Sequence, residues 1–278
     1  MKYKMVVLDL DGTLLNDDKL ISDKNANILN ELHNRGIHIV IATGRNYYMA
    51  KNLTEKIRLV EPVILANNGA IVRRYDDSLI ESNYLDFSIF ENIYALGKKH
   101  NLNPIIHVDE YHDGYDIIYE CENFEEVYLG YIKKDYDRAK HKNFKADKIN
   151  NILSVCYFND YQKLIDFKND IEKDPKVNVI LNQNLSSRTL LEFLNISGCK
   201  WCALKKYIDK LGIDEKDVIA IGDDNNDIEL IKNIGLGIAM KNATNLLKDA
   251  ANKISLFSNN DSGVYHELSE IFVFEKYL

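Results

Sequence analysis

The sequence predicts an α/β fold: a Rossmann-like doubly wound parallel sheet core with an inserted α+β domain. Three observations predict it. Short apolar runs alternate with helical patterns at both ends of the chain. Those runs stop at turns rich in Asp, Asn, Gly or Thr. Between the two ends, residues 84–187 hold ten of the 17 tyrosines but only three of the 13 glycines, which marks a segment built on a different plan.

The first strand is expected over residues 3–10, closed by the turn signal Asp11-Gly12. Ser22 is placed to cap a helix reaching Arg35, with Ile28, Leu29 and Leu32 on one face and Gly36 as its stop. Residues 37–42 are nearly continuous apolar, the pattern of a strand buried on both faces. Thr43-Gly44-Arg45 breaks that run, and a helical pattern follows to about Arg58. Pro62 opens a third strand over 63–66, ended by Asn67-Asn68-Gly69. Strand, helix, strand, helix, strand in this order implies parallel pairing with helices on the faces. Residues 71–75 and 79–81 then flank Asp76-Asp77-Ser78 as a hairpin.

The middle segment carries a loose repeat. A helix over about 86–100 precedes strands near 105–108 and 115–120; a helix over about 161–172 precedes strands near 177–181 and 189–194. Helix–strand–strand repeated suggests an antiparallel sheet with helices on one face. The domains are therefore expected at 1–83 plus 188–278 for the core and 84–187 for the insert. The doubly wound pattern resumes with a helix over 200–211, a strand over 218–221, a short helix over 226–233, a strand over 236–240 and a closing helix from Gly263. The stretch 133–148 mixes basic residues with Asp135, Asp137 and Asp147 and is expected to be a solvated, partly helical face.

Composition narrows the function classes. At 278 residues the chain can bury a core without disulfide or metal staples. Lys+Arg of 35 against Asp+Glu of 43 gives a net charge of −8, which argues against a nucleic-acid partner. No apolar run approaches the ~20 residues of a membrane helix, and the apolar start is stopped by Asp9 before it reaches signal-peptide length. Four cysteines make no disulfide framework. These features describe a cytoplasmic protein without a membrane or nucleic-acid partner; they leave the oligomeric state open, with a monomer slightly favoured.

In an open parallel sheet, ligands bind beyond the carboxyl ends of the strands. Four such ends carry chemistry: Asp9-Leu10-Asp11-Gly12-Thr13, Thr43-Gly44-Arg45, Asn67-Asn68-Gly69 and Gly222-Asp223-Asp224-Asn225-Asn226-Asp227. Any one of them is explained by turn formation alone. Four together describe a site, and its oxygen donors suit a hard cation such as Mg2+ beside a phosphate.

These motifs, with Lys200, Asn68-Gly69-Ala70, residues 237–243 and residues 260–264, resemble the successive motifs of the haloacid dehalogenase-like hydrolases, and within them the Cof-type, class IIB phosphatases. The resemblance covers the whole chain, and the 84–187 insert falls where that class carries its cap. It implies an Mg2+-dependent phosphatase for small phosphorylated metabolites such as sugar phosphates. Asp9 is implied as the nucleophile that forms an aspartyl-phosphate, and Asp11 as the general acid and then base. Mg2+ is implied on the Asp9 carboxylate, the Asp11 backbone carbonyl and Asp223, with Asp227 in the metal set or orienting Lys200 or a metal-bound water. Lys200 is implied to supply a second cation. The Thr43 hydroxyl and Gly44 amide are implied to bind phosphoryl oxygens at a helix N-terminus, and Asn226 to donate to the phosphate. Arg45 is left between a helix-start ion pair and a substrate contact.

Three features depart from the family pattern. Trp201 follows Lys200 where a small residue is usual, Asp224 stands where many relatives carry an amide, and Cys199 and Cys202 bracket the lysine. A lone Cys-x-x-Cys with no second pair is weak evidence for zinc, which leaves buried packing and redox inhibition as readings of that cysteine pair. His107 and His112 read as structural or surface residues. A phosphomutase of the same fold is the enzymatic alternative, and a phosphometabolite sensor the non-enzymatic one.

Overall fold

The computed structural model describes residues 2–121, 136–171, 176–182 and 189–274. Two compact units emerge: Met1–Ser82 with Cys199–Leu278, and Asn83–Gly198.

The first unit is built on an eight-stranded sheet. In chain order its strands are β1 (Met5–Leu8), β2 (His38–Ala42), β3 (Val63–Ala66), β4 (Ile71–Arg73), β5 (Leu79–Ser82), β12 (Val218–Gly222), β13 (Leu236–Ala239) and β14 (Lys253–Ile254). Their spatial order is β14-β13-β12-β1-β2-β3-β4-β5. Pairing from β14 to β3 is parallel, and β4 and β5 close one edge as antiparallel strands, the expected hairpin. The chain order jumps at β1, between β12 and β2, the kind of reversal beyond which open α/β sheets bind their ligands. All four residues of β1 are buried. A sheet with helices on both faces leaves no solvent side, which is why Met5-Val6-Val7-Leu8 shows no polar alternation. Each such side chain contributes roughly 1.5–3 kcal/mol when fully buried.

Helix α1 (Asp23–Asn34) begins as expected at Ser22, whose hydroxyl accepts from the Asn25 amide at 3.2 Å. Buried Asn25 donates to the Leu14 carbonyl and accepts from the Tyr265 amide, tying the loop after β1 to the closing helix. The helix expected to reach Arg58 is shorter: α2 (Tyr47–Leu53) gives way to a 3-10 segment, Glu55–Val60. The Thr54 hydroxyl donates to the carbonyls of Ala50 and Lys51 at the end of α2, where the regular ladder stops.

The second unit holds a six-stranded sheet in the order β10-β11-β9-β6-β7-β8. Its strands are β6 (Ile105–Glu110), β7 (Tyr115–Tyr119), β8 (Ala139–His141), β9 (Ile152–Asn159), β10 (Val177–Asn182) and β11 (Thr189–Asn195). Helices α3 (Phe87–Lys99) and α4 (Tyr161–Ile171) pack on it through Phe90, Ile93, Leu164 and Phe167.

Three expectations need correction. Strand β9 has no counterpart in the expected repeat; it pairs with both β6 and β11 near the middle of the sheet. The second junction lies after Gly198 and not at 187/188, because β11 is hydrogen-bonded to β9 and β10 and so belongs to the insert. Within 136–148 the chain forms turns and strand β8, paired with β7, in place of a helix; residues 133–135 lie outside the described residues.

In the first unit α5 (Lys200–Leu211), α6 (Ile228–Lys232), α7 (Asn245–Ala250) and α8 (Gly263–Phe274) complete the fold. Among the described residues no helix is long and apolar enough to cross a membrane.

Candidate active site

Asp9 is the first residue after β1. Its backbone amide donates to the Ile221 carbonyl at 3.0 Å, so the chain still follows β12 at this residue. Lys200 opens α5 and is 1% exposed. Its Nζ donates to Asp9 Oδ1 and Asp227 Oδ1, both at 2.7 Å. A buried ammonium is costly unless paired. Burial alone would lower its pKa; the Asp227 and Asp9 carboxylates outweigh that and raise it, so the lysine is charged.

Carboxylates nevertheless outnumber that cation. One oxygen each of Asp9, Asp223 and Asp227 lie within 4.8 Å of one another. Burial, reinforced by Asp227 and Asp223, pushes the Asp9 carboxyl well up despite Lys200. Burial and Asp227 likewise push Asp223 to about 7, against the Thr13 hydroxyl that donates to its Oδ1 at 3.0 Å. Three carboxylates and one ammonium leave an excess of negative charge that a divalent cation would offset, and the donors are hard oxygens. The residues therefore fit Mg2+.

Glycine makes the close approach possible. At Gly12 φ is +75°, and a Cβ there would stand 2.1 Å from Asp223 Oδ2. Gly222 plays the same part for Asp227, whose carboxyl carbon would lie 2.6 Å from an added Cβ. Asp227 is committed on both oxygens: Oδ1 to Lys200, Oδ2 to the backbone amides of Asp223 and Asp224. Asp224 accepts from the Asn225 amide and caps the 3-10 turn Asn225–Asp227, which accounts locally for an acid at that position.

Asp11 lies on the more open side. Arg45 grips it with two bonds, Nε to Oδ2 at 2.6 Å and an Nη to Oδ1 at 2.7 Å, and Lys19 adds a third at 2.7 Å. Burial works against ionisation, but Arg45 and Lys19 hold the carboxyl down at about 2. Arg45 is thus in an ion pair, one of the two roles the sequence left open for it, with Asp11 as a partner the sequence did not name.

Thr43 and Gly44 follow β2, but α2 starts only at Tyr47, with Asn46 as the cap that accepts from Met49. The two residues therefore sit in the turn ahead of the helix and not in its first turn. Thr43 Oγ1 accepts from the Arg45 amide at 3.1 Å, and the Asn68 amide donates to the Thr43 carbonyl. Asn226 donates its side-chain amide to Asn68 Oδ1 at 2.9 Å, linking the turns after β12 and β3.

Asp9, Lys200, Asp223 and Asp227 are thus directly associated, Asp11 with Arg45, and Asn226 with the turn that touches Thr43. Thr13, Lys19 and Asn68 were not singled out from the sequence. Thr13 and Asn68 lie inside recognised motifs; Lys19 carries no local signal beyond its Asp17-Asp18 turn. Cys199 and Cys202 are joined as a disulfide, and Trp201 between them is half-buried on α5. His107 is buried on β6, as a structural residue would be.

The sequence model of the haloacid dehalogenase-like hydrolase family matches residues 6–268. The chain is 30% identical, over 94% of its length and 92% of the relative's, to the 5-amino-6-(5-phospho-D-ribitylamino)uracil phosphatase YcsE of Bacillus subtilis strain 168. It is 29% identical, over 96% and 98%, to the phosphatase YwtE of the same organism, which bears the same substrate name. A haloacid dehalogenase-like hydrolase from Bacteroides thetaiotaomicron superimposes with a TM-score of 0.81 at 28% identity, covering 97% of this chain and all of the other. A subclass IIB sugar phosphatase shares the fold, with a TM-score of 0.78 at 19% identity over 97% and 99% of the two chains.

Proposed function

The chain belongs to the haloacid dehalogenase-like hydrolases and is a phosphatase of that family; from that premise we propose that it hydrolyses phosphomonoesters of small sugar- or polyol-like metabolites through Asp9. The observation that carries this reading is the buried Lys200 bridging Asp9 and Asp227 beside Asp223. The phosphoribityl group in the names of YcsE and YwtE supports a primary phosphate on a polyol chain as the substrate class.

Lys200 holds Asp9 through Oδ1, and among the described residues no hydrogen bond engages Oδ2. That second oxygen attacks phosphorus, and the ester P–O bond breaks to leave an aspartyl-phosphate on Asp9. A carboxylate nearing a phosphate is repelled by roughly 4 kcal/mol per pair of unit charges at 4 Å and an effective dielectric near 20. Lys200 offsets part of that. Asp9, Asp223 and the Asp11 backbone carbonyl, with Asp227 at their side, would hold Mg2+, which when bound supplies further charge neutralisation and polarises the phosphoryl group.

Asp11 gives a proton to the leaving oxygen, then takes one from the water that attacks the aspartyl-phosphate and restores the Asp9 carboxylate. Arg45 and Lys19 favour its ionised form in the structure described, so proton delivery requires that grip to loosen. A phosphate dianion arriving at Thr43 and Gly44 competes for the same guanidinium. Asn68 and Asn226 fix the turns that face it.

Phosphate release from an aryl phosphate and a panel of sugar and polyol phosphates, with and without Mg2+, tests the reading. Turnover that needs Mg2+ and is lost in Asp9→Asn is expected. Full turnover in that variant overturns it, and turnover only with an added sugar diphosphate points instead to a phosphomutase.

A further inference from the structure

We propose that Cys199 and Cys202 are a thiol–disulfide exchange site through which a dithiol reductant acts on the setting of Lys200. The consequence for turnover rests on the phosphatase reading above; the exchange chemistry does not.

The two sulfurs are bonded to each other and both residues are half-buried. Cys199 is the first residue of the core unit after the chain leaves the insert, and it caps α5: its Sγ accepts from the Cys202 amide at 3.0 Å. Lys200 is the next residue. The Cys199 carbonyl accepts from the Ala203 amide, and it lies where a Cβ on Gly69 would stand 2.5 Å away, with Gly69 at φ +89°. Gly69 follows Asn68, the partner of Asn226. The cysteine backbone thus adjoins two parts of the site, the lysine and the amide turn. The remaining cysteines, Cys121 and Cys156, form no disulfide.

The exchange balances with a dithiol as reductant. Its thiolate attacks Cys202 Sγ, the intramolecular S–S bond breaks, and Cys199 departs as a thiolate. Helix N-terminal N–H groups stabilise a thiolate at Cys199, which makes that sulfur the better leaving group. The reductant's second thiol then resolves the mixed disulfide, leaving two protein thiols and a cyclic disulfide. Two electrons and two protons have moved to the protein. The first turn of α5 thereby loses its covalent tie, and the ammonium it aims at Asp9 loses positional precision.

The test equilibrates the full chain in mixtures of reduced and oxidised dithiothreitol. Alkylation with peptide mass spectrometry then gives the state of each cysteine, and phosphate release is measured in the same samples. Cys199 and Cys202 should convert together with one midpoint, and kcat should fall reversibly by roughly tenfold in the dithiol form. Cys202→Ser should show no response to the buffer. A pair that stays in one state across the mixtures overturns the proposal, as does a conversion that leaves kcat and KM unchanged in an active enzyme. A pair that converts in a chain releasing no phosphate in either state supports the exchange site and overturns the phosphatase reading.

Discussion

Lys200 Nζ lies 2.7 Å from Asp9 Oδ1, although 191 positions separate the two residues in the chain. The contact joins the end of the first strand to the start of a helix that follows the whole insert, and the Asp227 carboxylate completes it from the other side. Removing the ammonium leaves buried carboxylates facing one another. Lys200→Met should therefore destabilise the core by about 3–5 kcal/mol in urea unfolding and lower kcat by at least roughly a hundredfold. Lys200→Arg should not rescue either quantity, because the site has no room for a guanidinium fork at 1% exposure. Wild-type stability in Lys200→Met would contradict this account of the pair.

Excess negative charge at Asp9, Asp223 and Asp227 predicts that Mg2+ stabilises the folded chain. With free Mg2+ at a hundred times its Kd, the gain should be about 2.7 kcal/mol. Asp223→Asn should lose most of that gain. So should Gly12→Ala, whose new Cβ would intrude on Asp223 Oδ2 at a backbone φ of +75°. Thermal melts with Mg2+ and after chelation measure both. Equal Mg2+ responses in the wild type and the two variants would refute the assignment.

The paired hydrogen bonds from Arg45 to Asp11 predict that geometry, beyond charge, matters at this position. Arg45→Lys keeps the charge and loses the fork, so kcat should fall by roughly tenfold or more with folding stability little changed. Steady-state kinetics and urea unfolding of the same samples separate the two effects. Lys19, a single exposed contact, should matter less.

His107 gives the insert a pH dependence. Burial lowers its pKa from 6.5 to about 4, so the folded insert favours the neutral ring. Below 6.5 the unfolded chain takes up the proton first. The contribution is thus complete above pH 6.5 and is lost progressively as pH falls toward 4, with a maximum of about 3 kcal/mol. His107→Leu should flatten the stability curve between pH 7 and 4.5. An unchanged slope would contradict this origin.

The sequence made the core legible because its chemistry sits at the ends of uninterrupted apolar strands. Asp9, Thr43, Asn68 and Asp223 each follow such a strand or lie in the turn just after it. Strand β9 was hidden by a repeat that closes without it, although Ile152-Leu153-Ser154-Val155-Cys156-Tyr157 is buried on both faces. The junction at Gly198 does not show in composition, because the tyrosine-rich, glycine-poor stretch ends before β11 although 189–194 completes the repeat of the insert. Two residues suffice for β14, below any periodicity. Partners across the fold were the least visible: nothing local distinguishes Lys19 from other exposed lysines, and the hold of Arg45 on Asp11 exists only once two strand ends are neighbours.

The central claim is that Asp9 carries the phosphoryl group. An aryl phosphate has a leaving group that departs without a proton, so Asp11→Asn should pass the first step and stall before hydrolysis. Acid-quenching that variant with substrate and Mg2+, then sequencing the peptides by mass spectrometry, should find the phosphoryl group on Asp9. A phosphoryl group on another residue, or an unmodified Asp9 during sustained turnover, would contradict the account.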